Sequence, residues 1–318
     1  MTKNEESDSE PMSSLTSTIF QLRLLSRTPV PAENWWGRAV HGLFFNTMKA
    51  LDQQLAEQLH PPAKANGSCQ TAGGIAPQGS GMGEEDAARN EDFQPFTAST
   101  LFGSFTKGML QPDQLYSFRI TTLDEGSAAV LEQATAQGRN LSPGSPVILA
   151  NRAFQIVSIA RNQQEDPWAR TDSYCLLAQR FCQEGDDLPH DLTFHLVSPA
   201  FYKGRKTGEY ILPMAGWLFA NLQKKWNRFA PREFPRLEEI AFDDLTTIFR
   251  FDLRSQAVLL KGWNAKRVGA VGQVTFTRSE ACSTDGWRAL CLLAAYARYA
   301  GVGAATPLGF GQCWVEPF

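Results

Sequence analysis

The chain has 318 residues, 43 % apolar and 20 % charged, with a formal net charge of −3. This length and apolar content exclude a disordered chain, a collagen-like repeat and a small disulfide scaffold, and they suffice for two ordinary domains. The acidity is local: residues 1–12 and 61–92 each sum to −3, whereas residues 201–278 carry 14 Lys or Arg against 7 Asp or Glu, a basic region that the overall charge conceals.

In chain order, residues 1–13 are polar and Ser-rich and read as a disordered tail. Residues 17–27 alternate loosely as a first strand, closed by Thr28-Pro29-Val30-Pro31. Trp36, Val40, Leu43, Phe44, Thr47, Met48, Leu51, Leu55 and Leu59 then fall at helical steps, which predicts one long helix stopped by Pro61-Pro62. Residues 61–92 hold six Gly, three Pro and no aromatic residue, so they read as a flexible insertion within a domain. Residues 114–123 alternate as a strand, 125–138 read as a helix, and 147–160 read as strand material around a turn at Asn151.

The second half repeats the order: a strand at 191–197, a basic hairpin at 201–212 and a helix at 214–229. Strand material follows at 245–261 and 269–277, then an Ala- and Leu-rich helix at 285–300 and a closing strand at 309–315. The pattern is β-α-β-β-α-β twice, an α+β chain of tandem ferredoxin-like domains expected at 14–190 and 191–318.

Six cysteines show no C-x-x-C spacing, and four of them sit in apolar contexts that suit free thiols. No apolar run approaches membrane-spanning length and no secretory h-region follows Met1, so a cytoplasmic, membrane-free protein is expected. The four histidines lack ligand spacing with cysteine, so no metal site is expected, nor any cofactor. Asp186-Asp187 and Asp243-Asp244 read as solvated loop charges.

The helix at 285–300 runs into Gly301-Val302-Gly303, five residues, then Gly309-Phe310-Gly311. Four glycines permit positive φ and close backbone approach. The loop admits two readings: successive exposed N–H groups cradling a phosphate, or a tight helix-to-strand connection. It is neither a Walker loop nor a dinucleotide fingerprint, because it follows a helix and precedes a strand.

With this motif, three further features resemble the repeat-processing endoribonucleases of the RAMP superfamily of CRISPR-associated proteins (the Cas six family). They are Phe194-His195-Leu196-Val197-Ser198-Pro199 before the basic hairpin, Phe219-Ala220-Asn221-Leu222 with Lys225-Trp226-Asn227, and Lys261-Gly262-Trp263 before Gly269-Ala270-Val271-Gly272. The resemblance implies a CRISPR repeat RNA (crRNA) partner, other effector subunits as further partners, and metal-independent cleavage by attack of a ribose 2′-OH on the adjacent phosphate. The glycine motif also admits non-cleaving relatives, so a crRNA-hairpin-binding subunit is the second functional reading.

The resemblance further implies a catalytic histidine at the end of the first helix, which makes His60 the first choice. A histidine there is favoured in its charged form by the helix dipole. His41, inside the helix beside the apolar stripe, is the second choice, with Arg38 and Lys64 as candidate cations for the scissile phosphate. The tyrosine that some relatives place on this helix is replaced by Phe45, so a histidine–tyrosine–lysine triad is not expected. For RNA binding the candidates are Lys203, Arg205 and Lys206 of the hairpin, with Tyr202 as a base-stacking ring. Lys224, Lys225 and Arg228 of the following helix, Lys266 and Arg267, and the glycines Gly301, Gly303, Gly309 and Gly311 complete the set.

Overall fold

The computed structural model describes residues 15–59, 93–182, 188–204, 208–232, 234, 237, 241–260 and 265–318. The expected tail and Gly-rich insertion lie outside the described residues, as do Asp186-Asp187 and the candidates His60, Lys64, Arg205 and Lys206.

Strand β1 (Leu15–Leu24) buries Phe20, Leu22 and Leu24 on one face, the period-2 pattern of a half-covered strand. After β2 (Val30–Pro31) the single helix expected from Trp36 to Leu59 is two, α1 (Gly37–Leu51) and α2 (Gln53–Leu59). Asp52 makes the break: its backbone leaves the helical region at φ −144° and ψ 89°, and its Oδ1 accepts the Leu55 N–H at 2.9 Å. An aspartate that offers an N-cap starts a new helix, and the apolar stripe hides the break because Leu55 and Leu59 still join the core of Val40, Phe44 and Met48. The chain continues through β3 (Phe96–Ala98), β4 (Met109–Leu110), β5 (Leu115–Thr122) and α3 (Glu125–Thr135), the last capped by Asp124 Oδ1, which accepts from Ser127 N at 2.8 Å. The hairpin of β6 (Pro146–Leu149) and β7 (Arg152–Ala160) turns at Ala150 and Asn151, both at positive φ. The sheet order is β3-β5-β1-β7-β6, and β8 (Arg170–Asp172) adds to β1.

A helix absent from the sequence reading follows, α4 (Tyr174–Cys182), with Ser173 Oγ accepting from Leu176 N at 3.1 Å. The C-terminal half comprises β9 (Asp191–Ala200), the hairpin β10 (Tyr202–Lys203) and β11 (Glu209–Tyr210), α5 (Ala215–Phe229) and the short α6 (Phe242–Leu245). Then come β12 (Thr246–Leu260), β13 (Ala265–Arg278), α7 (Thr284–Ala300) and β14 (Cys313–Glu316). Its sheet order is β12-β13-β9-β14. Both sheets place the first strand of a βαββαβ unit centrally, between its third and fourth, so the fold is the expected pair of ferredoxin-like units.

Each unit has its own core. Phe20, Phe118, Ile120 and Ile156 pack with α1 and α3 in the first, and Phe194, Val274 and Phe276 with α5 and α7 in the second. Each fully buried Leu or Phe side chain contributes about 1.5–3 kcal/mol. Tyr174, Leu177 and Phe181 of α4 belong to the second core although they precede its first strand. Among the described residues, no helix is long and apolar enough to cross a membrane.

Candidate functional site

The glycine loop closes on the protein itself. All four glycines have positive φ, as expected, and two of them also need the space of a missing side chain: a Cβ on Gly303 would lie 2.3 Å from Phe201 O, and one on Gly311 1.8 Å from Val302 O. The phosphate-cradle reading is corrected by where the N–H groups go. Gly301 N donates to Ala297 O, Gly303 N to Asn221 Oδ1, Gly309 N to Thr306 O and Gly311 N to Pro199 O. Val302, Ala304 and Gln312 likewise spend theirs on Gly311 O, Phe201 O and Ser198 Oγ. The glycine amides already have acceptors, so the motif is a tight connection.

Lys225 is the second correction. Expected on an RNA-facing surface with Lys224 and Arg228, it is only 2 % exposed. Its Nζ donates to Ala300 O and Gly301 O at 3.0 Å each, to Gly303 O at 3.2 Å and to Thr306 Oγ1 at 3.5 Å. A cation at the C-terminus of α7 meets carbonyls left without helical partners, where the dipole favours positive charge. Asn221 and Lys225 stand one turn apart on α5 and grip the same loop, which gives the Asn221…Lys225 spacing a structural meaning. Lys224 and Arg228 remain exposed.

The loop also joins the two units. Trp35 Nε1 donates to Leu308 O at 2.7 Å, and Gly37 at the start of α1 has no room for a side chain, since a Cβ would lie 1.8 Å from that same oxygen. Next to the loop, the Gln312 Oε1 accepts from Arg119 Nε at 3.0 Å and Nη2 at 2.6 Å, and its Nε2 donates to Thr97 Oγ1 at 3.3 Å. Arg119 is 1 % exposed and lies over the Trp168 ring; burial lowers its pKa to about 10, which leaves it charged at neutral pH. Neither Arg119 nor Gln312 was singled out in the sequence, although Gln312 follows the last motif glycine directly.

One apolar cluster assembles the elements that bear the candidate cations. Phe201, Val258, Leu260 and Phe310 are buried together, with Trp35, Ile211, Ala304 and Leu308 packed against them. Around it lie the start of α1, the β10–β11 hairpin, the far end of the β12–β13 ladder and the glycine loop. Arg38 is exposed on the first turn of α1. His41 is three residues on, about 60° around the helix and so on a neighbouring side. Its ring is half-buried and stacks near Phe96 and Phe45, at centroid distances of 5.4 and 6.0 Å. Lys203 and Lys266 are exposed, and Arg267 is ion-paired with Glu209 of the hairpin.

The aromatic expectation at the hairpin also changes. Tyr202 is 2 % exposed within the second core, where burial pushes its hydroxyl pKa up, so it offers no face to a base. Tyr210, 47 % exposed, stacks on Trp217 at 4.8 Å and is the hairpin's outward ring. Asp243 is not simply solvated, because its Oδ1 accepts from Gly216 N at 2.8 Å at the start of α5. Among the described residues no three His, Cys, Asp or Glu side chains converge as a metal-ligand group.

Two family models cover most of the chain. The model described as the CRISPR Cas6 N-terminal domain matches residues 17–179, and that described as the CRISPR-associated endoribonuclease Cas6 matches residues 194–313. Among solved structures, a Cas6 (TTHB231) product complex is similar with a TM-score of 0.66 at 21 % identity, over 95 % of this chain and 99 % of that one. The Thermus thermophilus Cas6 (TTHB231) structure gives 0.61 at 22 % identity, over 96 % and 99 %. A Cas6 (TTHA0078) product complex gives 0.65 at 19 % identity, over 95 % and 99 %. These structural likenesses carry the fold, and a comparison with curated proteins finds no match. The matched family models, which span both ferredoxin-like units and the glycine loop between α7 and β14, place the chain in the Cas6 family of CRISPR-associated endoribonucleases.

Proposed function

We propose that the protein binds CRISPR repeat RNA and cuts it once per repeat to release crRNA, by attack of a ribose 2′-OH on the adjacent phosphate and without a metal ion. The observation that carries this reading is the convergence of α1, the basic hairpin, the β12–β13 end and the glycine loop on one apolar cluster. That arrangement brings exposed cations, Arg38, Lys203 and Lys266, to elements held by a rigid joint, as preorganised electrostatic catalysis needs. Similar structures are described as product and substrate-mimic complexes of Cas6, and a more distant one as a RAMP protein binding different RNA substrates.

The reaction needs a base for the 2′-OH, an acid for the leaving 5′-oxygen and cations for the transition state. His60 takes the proton-transfer role, Arg38 and Lys64 the charge, and His41 is the alternative base. His41 starts from a half-buried position against Phe96, which restricts its ring, while its neighbour Arg38 reaches solvent. A histidine-to-alanine mutant of the TTHA0078 protein is among the similar structures.

The test is single-turnover cleavage of the repeat from the CRISPR array nearest the coding sequence. Wild-type protein in EDTA is expected to leave a 2′,3′-cyclic or 3′-phosphate end, and a 2′-deoxy substitution at the scissile nucleotide to abolish cutting. His60→Ala should lower the rate at least about 100-fold with little change in RNA affinity. A rate that falls only in His41→Ala transfers the role to that residue, and cutting of the 2′-deoxy substrate overturns the mechanism.

A further inference from the structure

We propose that the groove between α1 and the β6–β7 hairpin takes one unpaired nucleobase of the repeat RNA, whose backbone runs along α1 from Arg38 towards Lys49. This rests on the RNA-cutting function proposed above and adds to it a site that reads a base. The groove measures about 470 Å³ and is lined by Gly42, Leu43 and Asn46 of α1, Asn140 of the loop after α3, and Val147 and Ile148 of β6. A space of this size, with mainly apolar walls and a few polar groups, suits a flat group the size of a base. The α1 wall gives up helix stability to make it. Gly42 and Asn46 stand one turn apart inside the helix, where both are weak helix formers. Packing requires neither: a Cβ on Gly42 would meet nothing within 4 Å, and the exposed Asn46 side chain has no hydrogen-bond partner among the described residues.

The walls and the rim select the occupant. Ile148 is 69 % exposed on the hairpin side and faces the groove with Leu43, so the walls offer apolar surface to the face of a ring. The edge of that ring meets two amides. Asn140 is held in place, because its Nδ2 donates to Thr47 Oγ1 at 3.1 Å and that hydroxyl donates to Leu43 O at 2.9 Å, which leaves Asn140 Oδ1 as an acceptor. Asn46 adds a second amide with both donor and acceptor. Apolar surface for the face and amides for the edge are what an unstacked RNA base requires. The rim is basic. Arg38 and Lys49, both exposed, lie about 20° apart around α1 and about 16 Å apart along it, with Gly42 between them. Arg139, also exposed, precedes Asn140, and no acidic side chain lines the groove among the described residues. Such a rim favours a polyanion over an apolar peptide, and Arg38 makes the groove continuous with the cations assigned to cleavage.

Equilibrium binding of the full chain to the repeat RNA tests this, with the 2′-deoxy scissile nucleotide in place and an abasic site introduced at each unpaired position in turn. One abasic position is expected to weaken binding to the wild type at least about tenfold. Gly42→Leu, which fills the groove, should weaken binding of the intact RNA by a similar factor, and the two changes together should cost no more than either alone, within about twofold. Asn46→Ala, which removes one amide, should weaken the intact RNA at least about threefold and couple to the same position. Both substitutions raise helix propensity, so both proteins should melt at or above the wild-type temperature. Melting below it in both variants would show that these residues serve the fold, and would overturn the proposal. A wild type that does not bind the repeat overturns the RNA reading and this one with it. A wild type that binds, with no abasic position coupled to either variant, overturns the groove alone.

Discussion

Two sets of cations in this molecule look alike in sequence and do opposite work. Lys225 and Arg119 are almost wholly buried; the first holds three carbonyls of the glycine loop, and the second holds Gln312 across the junction of the two units. Lys203, Lys224, Arg228 and Lys266 are exposed. The first set fixes where the elements sit, and the second presents its side chains at the surface. A local count of basic residues adds the two together, although only the second presents cations at the surface, where a phosphate can touch them.

Lys225→Met separates the two sets most sharply. It leaves three backbone carbonyls and Thr306 without their buried donor, at a cost of about 3 kcal/mol, whereas the adjacent Lys224→Met should stay within about 0.5 kcal/mol. Urea denaturation of the two variants measures the difference. A loss below about 1 kcal/mol for Lys225→Met would show that the loop holds its shape without the lysine and would dissolve the distinction.

The exposed set is tested through salt. Each lysine that contacts an RNA phosphate releases counterions, so Lys203→Ala and Lys266→Ala should each flatten the slope of log affinity against log salt by about 0.7–0.9, with stability nearly unchanged. Lys225→Met, assayed below its unfolding range, should leave that slope as it is. Equal effects on the slope from all three variants would merge the classes.

The sequence carried the strand and helix order of both units, because periodicity and turn residues report which face is covered. It did not carry the break at Asp52, where an apolar stripe continued through a change of helix and only the N-capping aspartate marked it. The α4 helix was missed although Tyr174, Leu177 and Phe181 have helical spacing, since its packing partners lie in the second unit. At the site, four glycines in positive φ could be expected, but where their amides point depends on Pro199, Phe201 and Asn221, far away in sequence. The burial of Lys225 and Tyr202 is likewise a tertiary outcome: a single residue along α5 separates a solvent-facing lysine from one beneath a loop. Tyr210 was overlooked for the same reason, because nothing local says which of two hairpin tyrosines turns outward.

Arg267 stands between the two sets and gives the smallest effect. Its side chain is 34 % exposed and paired with that of Glu209, 29 % exposed, in a contact that joins the β12–β13 end to the hairpin. Such a pair contributes at most about 1 kcal/mol and fades in high salt. A double-mutant cycle of Arg267→Ala with Glu209→Ala should therefore give a coupling below about 1 kcal/mol, and a value near 3 would move Arg267 into the buried set. The pair also has a consequence for binding. Glu209 holds Arg267 and stands opposite Lys203 in the hairpin, so it competes with phosphate for both. Glu209→Gln keeps the shape and removes the charge, and should tighten RNA binding about two- to fivefold at low salt. Weaker binding in that variant would mean that the carboxylate serves to aim Arg267 at the RNA, so that the ion pair is part of the interface and not a competitor for it.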